Sequence, residues 1–435
     1  MINPQLKVKI SDPKTLKLKI FPNRYQIPEE IELYDIKVLA NSIFLSESVI
    51  KRPSKFDSSF KGKQFFLSKI DKIEIPLIQE YDEIDILLEQ LFLLIFNRRI
   101  EVEIVRNPQR RLINNLNNVN LTNDFTCLFS GGIDSFSGIL SSNEKYGKIL
   151  GSYTHHLNQR TLKKRVQKLI LSLRSRGINV CENSGLKHPN DISLTRGLLY
   201  TIDGFMTKRR NIIIAECGQT MYQPKYSPLD IIALTTNKNV LKTTIKLIRK
   251  ITGKKINIIL PNENLTKAEI VSNCVDKANL LQTHSCWRTG FASEFKRHHD
   301  GTCLACVLRR SAFEMAGLEE NYENDIYSDH LRSSMMNNIL SHLNLSYNIL
   351  KDFDKLQEYS KESIKQNGKL DLFQRAAMDI FCSLYLANQK IKIKNRQIIN
   401  WLNMSKDILS NDEIENRLCQ IKERKHKPNF DKKIS

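Results

Sequence analysis

Acidic residues are scarce in this chain. Only 47 Asp and Glu stand against 67 Lys and Arg, a formal charge of +20 over 435 residues. Such a field favours polyanions: nucleotides, nucleic acid or acidic proteins. The excess is scattered, with clusters at Lys163-Lys164-Arg165, Lys208-Arg209-Arg210 and in the last fifteen residues. Nucleic acid is therefore a possible partner but not the favoured one. Long apolar runs are missing as well. The longest, Leu91 to Phe96, falls far short of the roughly 20 residues that span a bilayer, and no membrane partner is expected. Met1-Ile2-Asn3-Pro4 lacks the charged-then-apolar form of a signal peptide, so the expected location is cytoplasmic. The nine cysteines are an odd number in a long chain without a secretory signal, which argues against a disulfide framework. Internal repeats are absent.

What is present divides the chain. Its length predicts about two to four domains. Residues 1–105 read as a β-rich unit: Leu6–Ile10, Leu16–Ile20, Lys72–Pro76 and Ile100–Val105 alternate with period two, and Glu83–Phe96 reads as a helix. Residues 106–123, rich in Asn, Arg and Pro, read as a linker. From 124 to 318, strand-sized apolar runs (Phe125–Phe129, Lys148–Tyr153, Ile178–Cys181, Asn211–Glu216, Ile256–Leu260) alternate with helical stretches. That rhythm predicts an α/β fold, a parallel sheet with helices on both faces. Residues 319–421 should be helical, and the basic tail 422–435 is expected to be disordered.

The most informative segment is Phe125-Thr126-Cys127-Leu128-Phe129-Ser130-Gly131-Gly132-Ile133-Asp134-Ser135. A glycine turn between strand and helix aims backbone N–H groups, and the positive end of the helix dipole, at one point. Gly131 and Gly132 let an anion approach the backbone, and Ser130 and Ser135 add hydroxyl donors. There is no Gly-Lys-Ser/Thr, so this is not a Walker A loop. A second grouping is Cys286, Cys303 and Cys306 with His298, His299 and Asp300 nearby. A Cys-x-x-Cys pair, a distant Cys and a nearby His suit tetrahedral zinc.

Ser-Gly-Gly-x-Asp-Ser resembles the signature of the PP-loop ATP pyrophosphatases. These cleave ATP between the α and β phosphates, adenylate a carboxylate or carbonyl oxygen and admit a nucleophile. The chain continues with Asn264-Leu265-Thr266-Lys267-Ala268-Glu269-Ile270, Ser285-Cys286, Gly301-Thr302-Cys303-Leu304-Ala305-Cys306 and Arg309-Arg310-Ser311-Ala312-Phe313-Glu314-Met315-Ala316-Gly317. That order resembles the QueC family, the 7-cyano-7-deazaguanine synthases, over residues 124–318. The resemblance implies an adenine nucleotide α-hydrolase-like core that uses ATP, Mg2+ and Zn2+ on a 7-deazaguanine-type small molecule. It implies Ser130, Gly131, Gly132, Asp134, Ser135 and Arg196 as nucleotide contacts. Ser130, Asp134, Ser135, Lys267 and Arg309 become the catalytic candidates, and Glu216-Cys217-Gly218-Gln219 a candidate rim. The family's second metal cysteine is replaced by Asp300. Cys286, Cys303 and Cys306 then need a fourth ligand, with His299 the first choice and His298 or Asp300 as substitutes.

The added N- and C-terminal regions resemble the QatC-type proteins of bacterial antiphage operons. That layout implies a protein partner from the same operon, which receives the acyl group. Two alternatives remain: a tRNA-modifying PP-loop enzyme, with Cys181 or Cys217 as thiol candidates, and an ATP-binding regulatory subunit without turnover.

Overall fold

The computed structural model describes residues 6–12, 17–22, 31–53, 65–67, 71–96, 99–106, 124–154, 160–183, 195–222, 236–286, 299–352 and 370–435. The expected linker, from 107 to 123, and His298 lie outside them.

The chain opens with β1 (Leu6–Asp12), β2 (Lys17–Pro22), α1 (Ile31–Ile50), β3 (Lys51–Pro53), β4 (Phe65–Leu67), β5 (Lys72–Leu77), α2 (Ile84–Phe96) and β6 (Glu101–Arg106). Strands β1, β2, β5 and β6 form one sheet in that order. The expectation of a β-rich unit is amended by α1, 20 residues long. Its amphipathic signal is faint because Leu33, Tyr34, Ile36, Val38, Leu39, Ala40, Ile43 and Phe44 are all buried, as are Asp35, Lys37, Asn41 and Ser42. A helix enclosed on every side carries no polar stripe to read.

The central region runs β7 (Phe125–Phe129), α3 (Ile133–Tyr146), β8 (Leu150–Thr154), α4 (Arg160–Ser175), β9 (Asn179–Asn183), α5 (Arg196–Phe205), β10 (Asn211–Ile213), α6 (Gly218–Met221), α7 (Lys238–Thr252), β11 (Asn257–Ile259), α8 (Lys267–Asn273), α9 (Lys277–Leu280) and α10 (Leu304–Met315). Helices α11 (Ser333–Lys351), α12 (Leu370–Ile391), α13 (Arg396–Lys406) and α14 (Asn411–Lys422) follow, then β12 (Lys433–Ile434). The main sheet has the order β12-β11-β10-β7-β8-β9 and is parallel except for β12. Sequence order reverses between β7 and β10, and ligands of such sheets bind at that crevice, beyond the carboxyl ends of the strands.

Alternate residues of the strands face two cores. Ile212, Ile214 and Ile258 join α5, α7, α1 and α2 in one cluster, so the first sheet's helices pack onto this face. Ile213 and Ile259 join α3, α4, α8, α10 and the C-terminal helices in the other. Buried polar contacts bind α1 to α5: Lys37 pairs with Asp203, and Glu47 accepts from the Thr195 N–H at 3.0 Å and its hydroxyl at 2.6 Å.

The tail corrects the expectation of disorder. Ile434 is buried and pairs with Ile258 across an antiparallel bridge, and Phe430 meets the Tyr146 ring edge-on at 5.6 Å. The Asn429 N–H donates to the Pro261 carbonyl at 2.8 Å. A charge-rich run suggests solvation, but two apolar anchors and the open edge of β11 suffice to dock it.

Candidate active site

The loop from Ser130 to Gly132 leaves the carboxyl end of β7, next to the crevice. Gly131 sits at φ +78°, and a Cβ there would lie 2.6 Å from Val166 of α4. Only glycine meets both conditions. The hydroxyls of Ser130 and Ser135 lie 3.1 Å apart, the Ser130 N–H donates to the Ser135 hydroxyl at 3.1 Å, and that hydroxyl donates to the Gly132 carbonyl at 3.1 Å. The loop is thus closed on itself before any ligand enters. The Gly132 N–H reaches the Ser130 hydroxyl at 3.3 Å, and no side chain caps α3. The dipole end of a 14-residue helix faces the turn.

Asp134, in the first turn of α3, is buried. The Lys267 ammonium lies 2.7 and 2.6 Å from its two carboxylate oxygens, and the Cys217 N–H donates to Oδ2 at 3.2 Å. Lys267 begins α8, whose start is fixed by a capping box of Thr266 and Glu269. Its backbone N–H donates to Gln219 Oε1 at 3.2 Å. Burial opposes the ammonium charge, but Asp134, with Cys217 and Glu216 behind it, outweighs this and raises the pKa well above the ordinary lysine value. The rim residues Cys217 and Gln219 therefore turn inward and brace the Asp134–Lys267 pair.

Arg196 begins α5, and its side chain lies outside the described residues. Arg309 is fully buried, and its donors are used internally. It forks onto Glu320 at 2.7 and 2.8 Å, donates to Thr283 Oγ1 at 2.8 Å, and stacks on Phe313 at 4.3 Å. It acts as a bracket behind the loop. It holds Thr283, and the adjacent His284 N–H donates to the Gly131 carbonyl at 2.9 Å. Glu320 escaped the sequence reading because nothing around it forms a motif. Burial works against its charge, yet His299 and Arg309 hold its carboxyl well below the usual range.

Among the described residues two groupings can hold a metal ion: Cys286 with Cys303 and Cys306, and Asp134 with Glu216 and Cys217. Cys303 Sγ lies 3.3 Å from Cys306 Sγ and 3.9 Å from Cys286 Sγ. Zinc–sulfur bonds of about 2.3 Å in a tetrahedron put sulfurs about 3.8 Å apart, so the donor set fits zinc. Gly301, at φ +93° with Asn324 O where a Cβ would go, makes the turn before Cys303. Burial, with the two neighbouring thiols, pushes the Cys306 thiol well up, and a bound cation would reverse that preference. His299 does not join the sulfur grouping. Its Nε2 accepts from the Ser285 N–H at 3.4 Å and its Nδ1 lies 3.4 Å from Glu320. The Asp300 carboxylate accepts from Thr302 Oγ1 at 2.8 Å and Asn324 Nδ2 at 2.7 Å.

Fold and site together define an α/β protein with a mostly parallel sheet and a glycine-serine loop at its switch point. Comparison with known proteins narrows the class. Residues 236–317 match the family model described as Queuosine biosynthesis protein QueC. The chain is 40% identical over 67 residues to a 7-cyano-7-deazaguanine synthase of Chelativorans sp. (strain BNC1), covering 15% of this chain and 26% of that protein. It is 38% identical over 74 residues to a 7-cyano-7-deazaguanine synthase of Acetivibrio thermocellus, covering 17% and 31%. The chain thus spans under a third of the length of these curated relatives. The family match contains Lys267 and the three clustered cysteines but not the Ser130 loop. The chain carries a QueC-like segment.

Proposed function

We propose that this chain is an AMP-forming, ATP-dependent enzyme that adenylates a carboxylate on a 7-deazaguanine and passes the acyl group to an amine. The observation that carries the reading is the Lys267–Asp134 contact. It joins the Ser-Gly-Gly-x-Asp-Ser loop to the QueC-like segment in one crevice.

ATP phosphates would meet the backbone N–H groups of Gly131, Gly132 and the first turn of α3, with the Ser130 and Ser135 hydroxyls turning from each other onto oxygen. A substrate carboxylate oxygen attacks the α-phosphorus, the α–β bridging bond breaks, and pyrophosphate leaves against those donors. Lys267 is placed to shift from Asp134 towards the developing charge. An amine nitrogen then attacks the acyl carbon, AMP departs, and the amine proton passes to solvent or a nearby base. Asp134 and Glu216 would hold magnesium, which screens phosphate charge when bound. Cys286, Cys303 and Cys306 would hold zinc as a structural ion that ties α10 to the Thr283–Cys286 segment. Arg309 serves as the bracket between that segment and Glu320.

With ammonia the product is an amide, which a second ATP could dehydrate to a nitrile. With a protein amine it is a tagged partner. The added regions before residue 124 and after residue 318 favour the second acceptor, a protein from the same operon in an antiphage system. Neither thiol candidate is favoured as a nucleophile, and burial raises the pKa of the Cys181 thiol. Burial, followed by Asp134, pushes the Cys217 thiol up to about 12, so it is not a nucleophile at neutral pH. The test is incubation with ATP, magnesium and 7-carboxy-7-deazaguanine, with ammonia or neighbouring-gene proteins, followed by mass spectrometry. A mass gain on a neighbour protein supports tagging, and a free amide or nitrile supports small-molecule synthesis. Absence of AMP in every mixture rejects the proposal.

A further inference from the structure

The helix that carries Lys267 is held from outside the sheet. Glu269, two residues on, is 3% exposed. Its Oε2 accepts from the Thr266 N–H at 2.9 Å, while its Oε1 takes Arg375 at 2.9 Å and Arg417 at 2.8 Å. Arg417 is also buried and is held by Asp379 at 2.8 Å. Arg375 Nη2 reaches the Asn264 carbonyl at 2.7 Å. Further along, Ser272 Oγ donates to the Ile421 carbonyl at 2.6 Å, and Asn273 Nδ2 to the His426 carbonyl at 2.7 Å. The tail repeats this grip upstream. Lys432 pairs with Glu263, which also takes Lys238 at 2.9 Å and the Tyr222 hydroxyl at 3.0 Å. The gripping residues Arg375, Asp379, Arg417 and Lys432 all lie beyond the family match at 236–317.

We propose that residues 370–435 form a positioning clamp for the nucleotide site. Arg375 and Arg417 act through Glu269 to fix the first turn of α8, and thereby keep the Lys267 side chain aimed into the crevice beside Asp134 and the Ser130 loop. The inference rests on the adenylating reading above. Its physical basis is the double duty of Glu269. A seven-residue helix has little stability of its own, so its start depends on the capping box. The capping carboxylate is buried, and the largest support for its charge comes from its two guanidinium partners. Loosening them releases the cap and, with it, the direction of the Lys267 side chain. Arg375 and Arg417 are positioning residues, since neither approaches the loop itself.

The test is a double-mutant cycle on the full-length chain, read as the affinity for α,β-methylene-ATP with magnesium by titration calorimetry. Arg375→Ala leaves Arg417 on Glu269, so the protein should fold. Nucleotide binding should weaken roughly two- to thirty-fold, the range for mutations that act through a neighbour. Arg375→Lys should recover much of the loss. In a Lys267→Ala background Arg375→Ala should cost nothing further. An equal loss in both backgrounds, or no loss in a folded Arg375→Ala variant, would overturn the clamp while leaving the nucleotide reading standing. A wild-type chain that binds no nucleotide would overturn both.

Discussion

The Lys267 ammonium lies 2.7 Å from Oδ1 and 2.6 Å from Oδ2 of Asp134, although 133 positions separate the two residues. The pair joins the Ser130–Ser135 loop to the QueC-like segment. It places a cation beside the loop, neutralised by the carboxylate.

Lys267→Ala should reduce pyrophosphate release from ATP by about 100- to 1,000-fold, as removal of one donor to a developing oxyanion does. Asp134→Asn should cost stability as well, because it leaves a half-buried ammonium without its counter-charge. The loss should show as a lower denaturant midpoint. A Lys267→Ala enzyme with wild-type turnover would remove the lysine from the chemistry.

The three clustered thiols should bind one zinc per chain, measured by elemental analysis of purified protein. Cys306→Ser should abolish stoichiometric zinc and lower the melting temperature, and a strong chelator should do the same to the wild type. His299→Ala should keep the metal, because its ring is engaged by Ser285 and Glu320, and loss of zinc would make His299 the fourth ligand.

The local parts of this arrangement were legible from sequence. Ser130 to Ser135 lie within one turn, and Cys303 and Cys306 share a helix start, so type and spacing sufficed. The partnerships were not. Lys267 is a catalytic candidate only through the resemblance, because nothing near it in sequence names Asp134. Arg309 is a catalytic candidate through its motif, and only the fold brings Glu320 and Thr283 to its guanidinium. Helix α1 was hidden by burial on all sides, and the docked tail by its own charge.

His342 supplies a pH test away from the site. Burial lowers its pKa from 6.5 to about 3, so it stays neutral in the folded chain. Between those values the unfolded chain binds more protons than the folded one. Stability should therefore fall as pH drops below 6.5, by about 1.4 kcal/mol per unit for this group. His342→Leu should flatten the slope between pH 6.5 and pH 4 by about that amount, measured by urea unfolding. An unchanged slope would mean that His342 is charged in the folded protein.

Cys217→Ser should retain AMP formation within a few-fold. Its thiol is buried beside Asp134 and held neutral, so the reaction does not need it. Loss of activity without loss of folding would revive a thiol-dependent reaction.

The most direct test of the central claim is AMP and pyrophosphate release by the purified chain with ATP, magnesium and 7-carboxy-7-deazaguanine. The account predicts AMP and pyrophosphate in equal amounts, dependent on the carboxylate and abolished by Lys267→Ala. ADP and phosphate, or no carboxylate-dependent release at all, would contradict it.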